Sequence, residues 1–131
     1  MNYWIVGIAG MAGALLRHYT SLFFEPLPAD SFPVGTLLVN YIGSFILSWL
    51  NGKAGTLITP RLQLAIGTGL IGSFTTFSTF SIETIQLWEQ DLWGKAVLYV
   101  LFSIWGGWLL ASAGWKVSQL SDRDKREGEK R

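Results

Sequence analysis

Four long apolar runs separated by short polar breaks account for nearly the whole chain. The first covers residues 3–24 and carries a single cation, Arg17, toward its end. A stretch with Pro26, Pro28 and Pro33 separates it from a second run, 34–50, which Asn51-Gly52-Lys53 closes with turn and interface signals. After a short loop at 53–60, a third run extends from about 62 to 88 and is closed by Glu89-Gln90-Asp91. The fourth occupies 92–115. Each approaches or exceeds the roughly 20 residues that cross a bilayer core. The pattern therefore predicts an all-α integral membrane protein, with four transmembrane helices in a single unit, residues 1–120. Residues 121–131 alternate Asp, Arg, Lys and Glu without apolar period and read as a solvated helix end or a disordered tail. Ala12-Gly13-Ala14 resembles a signal cleavage site, but the start lacks a basic n-region, so the first run is expected to be a retained span.

The third run is too long for one straight crossing and too polar at its centre. Gly67, Gly69, Gly72 and Ser73 weaken helix propensity, and Thr75-Thr76 follow at once, so a break is predicted between Gly72 and Thr76. Irregular backbone at that depth survives only where it is buried in protein or lines a cavity, and two short halves around such a break are the pattern of an ion site. The plainer alternative is a kink whose hydroxyls bond back to carbonyls.

Directly after the break, Thr76-Phe77-Ser78-Thr79-Phe80-Ser81 repeats a triplet. Residues three apart share a helical face, so Phe77 and Phe80 form one stripe beside stripes of hydroxyls. A phenyl edge is positive and a hydroxyl is a mobile donor; together they suit a small, strongly hydrogen-bonding anion, although a Phe stripe also serves plain packing. In the second run, Asn40 needs partners for a carboxamide deep in a span, and Gly43, Ser44 and Ser48 make a thin face. Gly7, Gly10, Gly13 and Ala14 form a small-residue surface on the first run. On the fourth, Tyr99, Ser103 and Gly106 share a face. Arg17 has the length to snorkel or to concentrate anions at a pore mouth. Glu83 is the only acid within a span, near its end, where an interfacial role is expected. His18, the only histidine, is placed at the interface.

Composition agrees with the pattern and narrows it. Of 131 residues, 50% are hydrophobic and none is cysteine, and the mean hydropathy is +0.34. No separate soluble domain fits, and thiolate metal ligation and disulfides are excluded. The net charge of +1 says little, since residues 116–131 alone hold six of the ten basic and four of the nine acidic residues. Lys53 and Arg61 on one side nearly balance Lys95 and Arg17 on the other. The positive-inside rule thus gives a weak direction, favouring a cytoplasmic C-terminus only when Lys116, Arg123, Lys125 and Arg126 count. No nucleophile with a paired base, metal-ligand cluster or phosphate loop is visible, so no enzyme is expected, and no nucleic-acid partner.

These residues resemble the small fluoride-exporting channels of the Fluc or CrcB family. Gly72 to Ser81 is similar to that family's third-helix signature, Gly35-Thr36-Leu37 with Asn40 and Gly43-Ser44-Phe45 to its second-helix motif, and Gly10 to Arg17 to its first-helix motif. Ser73, Met11 and His18 depart from the usual glycine, glycine and tyrosine. The resemblance implies an antiparallel, dual-topology homodimer in a bacterial inner membrane, exporting fluoride passively through two pores to relieve its toxicity. It also implies a fluoride path along Asn40, Phe77 and Phe80, flanked by Thr79 and Ser81, with Tyr99 and Ser103 from the fourth helix and Arg17 in the vestibule. A central structural sodium ion would be held by the backbone carbonyls of Gly72 and Thr75. The rival reading is a small four-helix proton-coupled exporter of cationic drugs, which needs a buried carboxylate and finds only Glu83. A scaffold subunit without transport would leave Asn40 and the Phe-hydroxyl stripe unexplained.

Overall fold

The computed structural model describes residues 3–24, 32–54 and 58–128, the last eight of them by backbone alone. Its elements are α1 (Tyr3–Phe24), α2 (Val34–Gly52), α3 (Pro60–Gln63), a π-helix (Leu64–Ile71), α4 (Gly72–Phe74), α5 (Phe77–Glu89) and α6 (Trp93–Gly128). Among the described residues there is no strand, only an isolated bridge between Ala54 and Ile58. The four expected helical segments are thus present: α1, α2, the composite 60–89 and α6.

Local chemistry sets the ends of these segments. Thr59 caps α3 by accepting from the Leu62 amide, with Pro60 in the first turn, where its missing N–H is no loss. Thr76 caps α5, its hydroxyl accepting from the Thr79 amide at 3.1 Å. Asp91 turns the chain from α5 into α6 at φ 59°, a left-handed conformation that Asp tolerates better than most residues.

Two features go beyond the sequence pattern. The tail was expected as a solvated helix end or a disordered segment; α6 continues as helix to 128, 36 residues in all, or about 54 Å at 1.5 Å per residue, well past a hydrocarbon core of about 30 Å. Because α6 runs on past 115, it packs against the end of α2, where Gly52 meets Ser118 and Trp115. Lys53, expected at an exposed interface, is accordingly 1% exposed. The second feature is the π-helix of 8 residues, a rare and wider form where ordinary helix was expected. It packs closely on α1, its Gly69 lying against the Val6 backbone and Ala9, and Gly13 of α1 lying against the Leu70 carbonyl with no room for a Cβ.

Two tight pairings organise the molecule: α2 against α6, and α1 against the π-helix and α4. Leu87, Ala96 and Tyr99 form a small core, with Phe32, Leu37, Phe80 and Leu92 packed on it. Outward faces are apolar, with Trp4, Ile8, Phe23, Ile104 and Trp108 all more than half exposed, while Thr76 and Ser118 are buried. Apolar surface on this scale faces lipid or a partner rather than water. Two helical stretches, Val34–Gly52 and Trp93–Leu120, are individually long and apolar enough to cross a membrane.

Candidate functional site

The third segment breaks at Thr75 and Thr76, whose backbones are both extended (φ −72°, ψ 156°; φ −146°, ψ 124°). This lies at the end of the predicted interval, and the donors and acceptors around it explain how it holds. In a continued helix the Thr76 amide would donate to the Gly72 carbonyl, and the Thr79 amide to the Thr75 carbonyl. Side chains intercept both. The Thr76 amide donates to Asn40 Oδ1 at 2.9 Å, and the Thr79 amide to Thr76 Oγ1 at 3.1 Å. Asn40 Nδ2 in turn donates to the Thr76 carbonyl at 3.0 Å. Asn40 thus takes up both backbone groups of a residue that is 8% exposed, while the carbonyls of Gly72 and Thr75 lose their helical partners.

Gly43, one turn beyond Asn40 on α2, lies against the Thr75 methyl group, so the break is pressed onto the thin face of α2. A cleft of about 290 Å³ opens beside it, lined by Asn40, Gly43, Ser44, Leu47, Ile71, Thr75, Thr76 and Phe77.

From the break, aromatic rings lead along α5 to α6. Phe77 and Phe80 have centroids 5.8 Å apart, Phe80 and Tyr99 5.1 Å, and Phe32 meets Tyr99 edge-on at 5.5 Å. Phe77 is 79% exposed whereas Tyr99 is fully buried; the row therefore starts at the surface of the subunit and ends in its interior. There Tyr99 donates to Glu83 Oε2 at 2.7 Å, and Thr36 donates to Glu83 Oε1 at 2.8 Å. Glu83 is part-buried among α2, α5 and α6, and each of its carboxylate oxygens has a hydroxyl donor from a neighbouring helix.

The hydroxyls differ in what they have left to give. Ser81 donates to the Phe77 carbonyl, so its proton is spent within its own helix. Thr79 accepts from Thr76 Oγ1 and keeps its own proton. Ser103 Oγ is buried and has no hydrogen-bond partner among the described residues. Asn40 uses one amide proton on Thr76 and has a second. The structure therefore gathers Asn40, Phe77, Phe80, Thr79 and Tyr99 around the break and the aromatic row, with Gly72 and Thr75 at the break itself. Arg17, half-buried one turn beyond Gly13 on α1, is not among the hydrogen-bonded groups of this cluster.

Sequence reasoning missed the pairing of Thr36 with Glu83 and Tyr99. The signal available was a lone acid in a span, which must find donors; its partners lie 47 and 16 residues away, beyond any local pattern. No group of three or more metal-binding His, Cys, Asp or Glu residues occurs among the described residues.

Comparison with known proteins points one way. The profile of the family described as CrcB-like protein, Camphor Resistance (CrcB), matches residues 4–115. A protein of Bacillus cereus named fluoride-specific ion channel FluC 1 is 47% identical over 115 residues, covering 86% of this chain and 84% of that protein. Fluoride-specific ion channel FluC 2 of Geobacillus kaustophilus is 41% identical over 134 residues, covering 98% of each chain. Fluoride-specific ion channel FluC of Shewanella frigidimarina is 45% identical over 105 residues, covering 79% of this chain and 84% of that one.

Proposed function

The chain belongs to the CrcB-like family, and on that premise we propose that it is a fluoride-selective channel that lets fluoride leave the cell passively, relieving its toxicity. The observation that carries the reading beyond the family is the composition of the site. Hydroxyls, a carboxamide and phenyl rings adjoin a helix break, and no fixed cation stands among the hydrogen-bonded groups.

Fluoride surrenders water only where donors replace it. The second amide proton of Asn40, the hydroxyl protons of Thr79 and Ser103, and the positive edges of Phe77 and Phe80 offer partial replacement at successive points. Each is weak enough to release the ion to the next, as conduction demands. Ser81 and Tyr99 donate to fluoride only where their protons turn away from the Phe77 carbonyl and Glu83, and Arg17 concentrates anions at the mouth.

The working unit is proposed to be a homodimer of oppositely inserted subunits, spanning a bacterial inner membrane, with two pores. Two features support it. The Phe77 end of the aromatic row and the cleft at the break lie open on the subunit surface, and a subunit of this size has little interior to spare for a pore. A two-fold axis would bring the two breaks together. The carbonyls of Gly72 and Thr75, relieved of helical donors, fit a hard cation such as a structural sodium ion. Such an ion would supply fixed positive charge and tie the two breaks.

The exporter reading loses its footing. The relatives carry the name of channels, and Glu83, the one acid available to it, has both oxygens occupied by hydroxyl donors.

The test is ion efflux from liposomes loaded with fluoride or chloride, followed with ion-selective electrodes. Rapid fluoride loss with chloride retained is expected. Absence of fluoride flux from folded protein would overturn the channel reading.

A further inference from the structure

We propose that Tyr41 is a positioning residue for the ion path, its hydroxyl fixing α6 against α2 so that Ser103 presents an unspent proton in line with Tyr99.

Tyr41 leaves α2 and donates its hydroxyl to the Phe102 carbonyl of α6. The tip of its ring rests on Gly106, where a Cβ would overlap the phenol oxygen and ring carbons. These two contacts bracket Ser103. Phe102 precedes it, and Gly106 stands three residues on, on the same helical face as Ser103 and Tyr99.

The state of Ser103 is unusual within this protein. Thr20, Thr75, Ser81 and Thr84 all turn their hydroxyls back onto the carbonyl four residues earlier. Ser103 has the same option toward Tyr99 and does not take it; its Oγ is buried without a partner among the described residues. A buried hydroxyl left unbonded is unfavourable, and the Tyr41 tether is one of the contacts that hold this turn of α6 against α2. The same turn carries the Phe102 ring, which meets Phe32 edge-on, and Phe32 in turn meets Tyr99. Displacing it therefore reaches the Tyr99 environment as well. The outcome is a donor kept free for a dehydrated anion.

The inference rests on the channel reading for its flux arm alone, and the test separates the two. Tyr41→Phe removes the hydroxyl and keeps the ring. Gly106→Ala keeps the hydroxyl but denies it its seat. The chain has four tyrosines, so uniform fluorotyrosine labelling gives four fluorine resonances, with that of Tyr99 assigned by Tyr99→Phe. Both variants are expected to shift the Tyr99 resonance and leave those of Tyr3 and Tyr19 in place. In liposomes, Tyr41→Phe should slow fluoride efflux about fivefold, the scale of one hydrogen bond, and Tyr41→Phe with Ser103→Ala should be no slower than the slower single variant. An unmoved Tyr99 resonance in both variants, or a double variant slowed by the product of the single effects, overturns the proposal. A wild-type protein that passes no fluoride overturns the channel reading instead, and the resonances still decide the role of Tyr41.

Discussion

Replacing Asn40 by leucine removes two hydrogen bonds from the centre of the third segment while keeping the branching and heavy-atom number of the side chain. The Thr76 amide and carbonyl, bonded to Asn40 at 2.9 and 3.0 Å, lose their partners in a residue that is 8% exposed. An unsatisfied buried group costs about 1–3 kcal/mol, so the pair costs about 2–6 kcal/mol. The chain has one way to recover part of this: the Thr76 amide returns to the Gly72 carbonyl and the helix closes. That closure consumes the carbonyl assigned to the cation, so stability is regained only at the expense of the break. Asn40→Asp separates the two bonds, since a carboxylate accepts from the Thr76 amide but cannot donate to its carbonyl. Denaturation in detergent, followed by the fluorescence of the seven tryptophans, should rank wild type above Asn40→Asp above Asn40→Leu. Fluoride efflux should fall in both variants. An Asn40→Leu protein within about 0.5 kcal/mol of wild type, the range of an ordinary surface change, would refute the claim that Asn40 holds the break open.

Three further changes test other parts of the structure. Gly13→Ala places a Cβ on the Leu70 carbonyl and should destabilise the pairing of α1 with the π-helix by about 1–3 kcal/mol; unchanged denaturation would show that the contact yields. Phe77→Ile and Phe80→Ile should both reduce fluoride efflux, but only Phe80→Ile should lower subunit stability, because Phe77 is 79% exposed and Phe80 packs on Tyr99; normal flux in both would remove the phenyl-edge mechanism. Glu83→Gln leaves an amide that can accept from only one of Thr36 and Tyr99, and should cost about 1.5–3 kcal/mol, the worth of a hydrogen bond to a charged group. Its residual fluoride flux should follow the fluoride gradient alone, and flux driven by a pH gradient would revive coupled export.

The helical segments could be read from the sequence because hydrophobic runs of membrane length leave few alternatives, and α1 is helical throughout Tyr3–Phe24. The break could be read from glycines and adjacent threonines, which weaken a helix wherever they stand. The π-helix ahead of it could not. Glycine at 67 and 69 says only that α-helix is weak, and the close approach of α1 to this stretch, Gly13 against the Leu70 carbonyl, has no local sequence signal. The surroundings of Lys53 and Glu83 could not be read, because a charge near the end of a run suggests the interface and says nothing of its neighbours. In the fold, α6 overruns its predicted end and packs beside the first, and hydroxyls from two other helices reach the second. At the site, residue types were legible but the state of each proton was not. Ser81 and Ser103 look alike in sequence, yet one spends its proton on its own helix and the other keeps it.

That difference bears on how a channel of this kind avoids trapping its ion. A lysine in the path would hold a fluoride ion, whereas neutral donors alone do little to offset the field that repels anions from hydrocarbon. The break offers a way to separate the two tasks. Asn40 and the Thr76 hydroxyl take the backbone donors, and the carbonyls of Gly72 and Thr75, without their helical donors, are the neutral oxygens proposed for the cation. A cation held by neutral oxygens keeps its full charge. At an effective dielectric constant of about 20, a unit charge about 10 Å from the path attracts an anion by about 1.7 kcal/mol, enough to raise its occupancy without contact. Acidic ligands would cancel that charge. Glu83 is engaged instead by the hydroxyls of Thr36 and Tyr99. Direct hydrogen bonding is then left to side chains that release as readily as they bind, and Ser103, with its proton free, is the one for which an arriving anion changes the balance most.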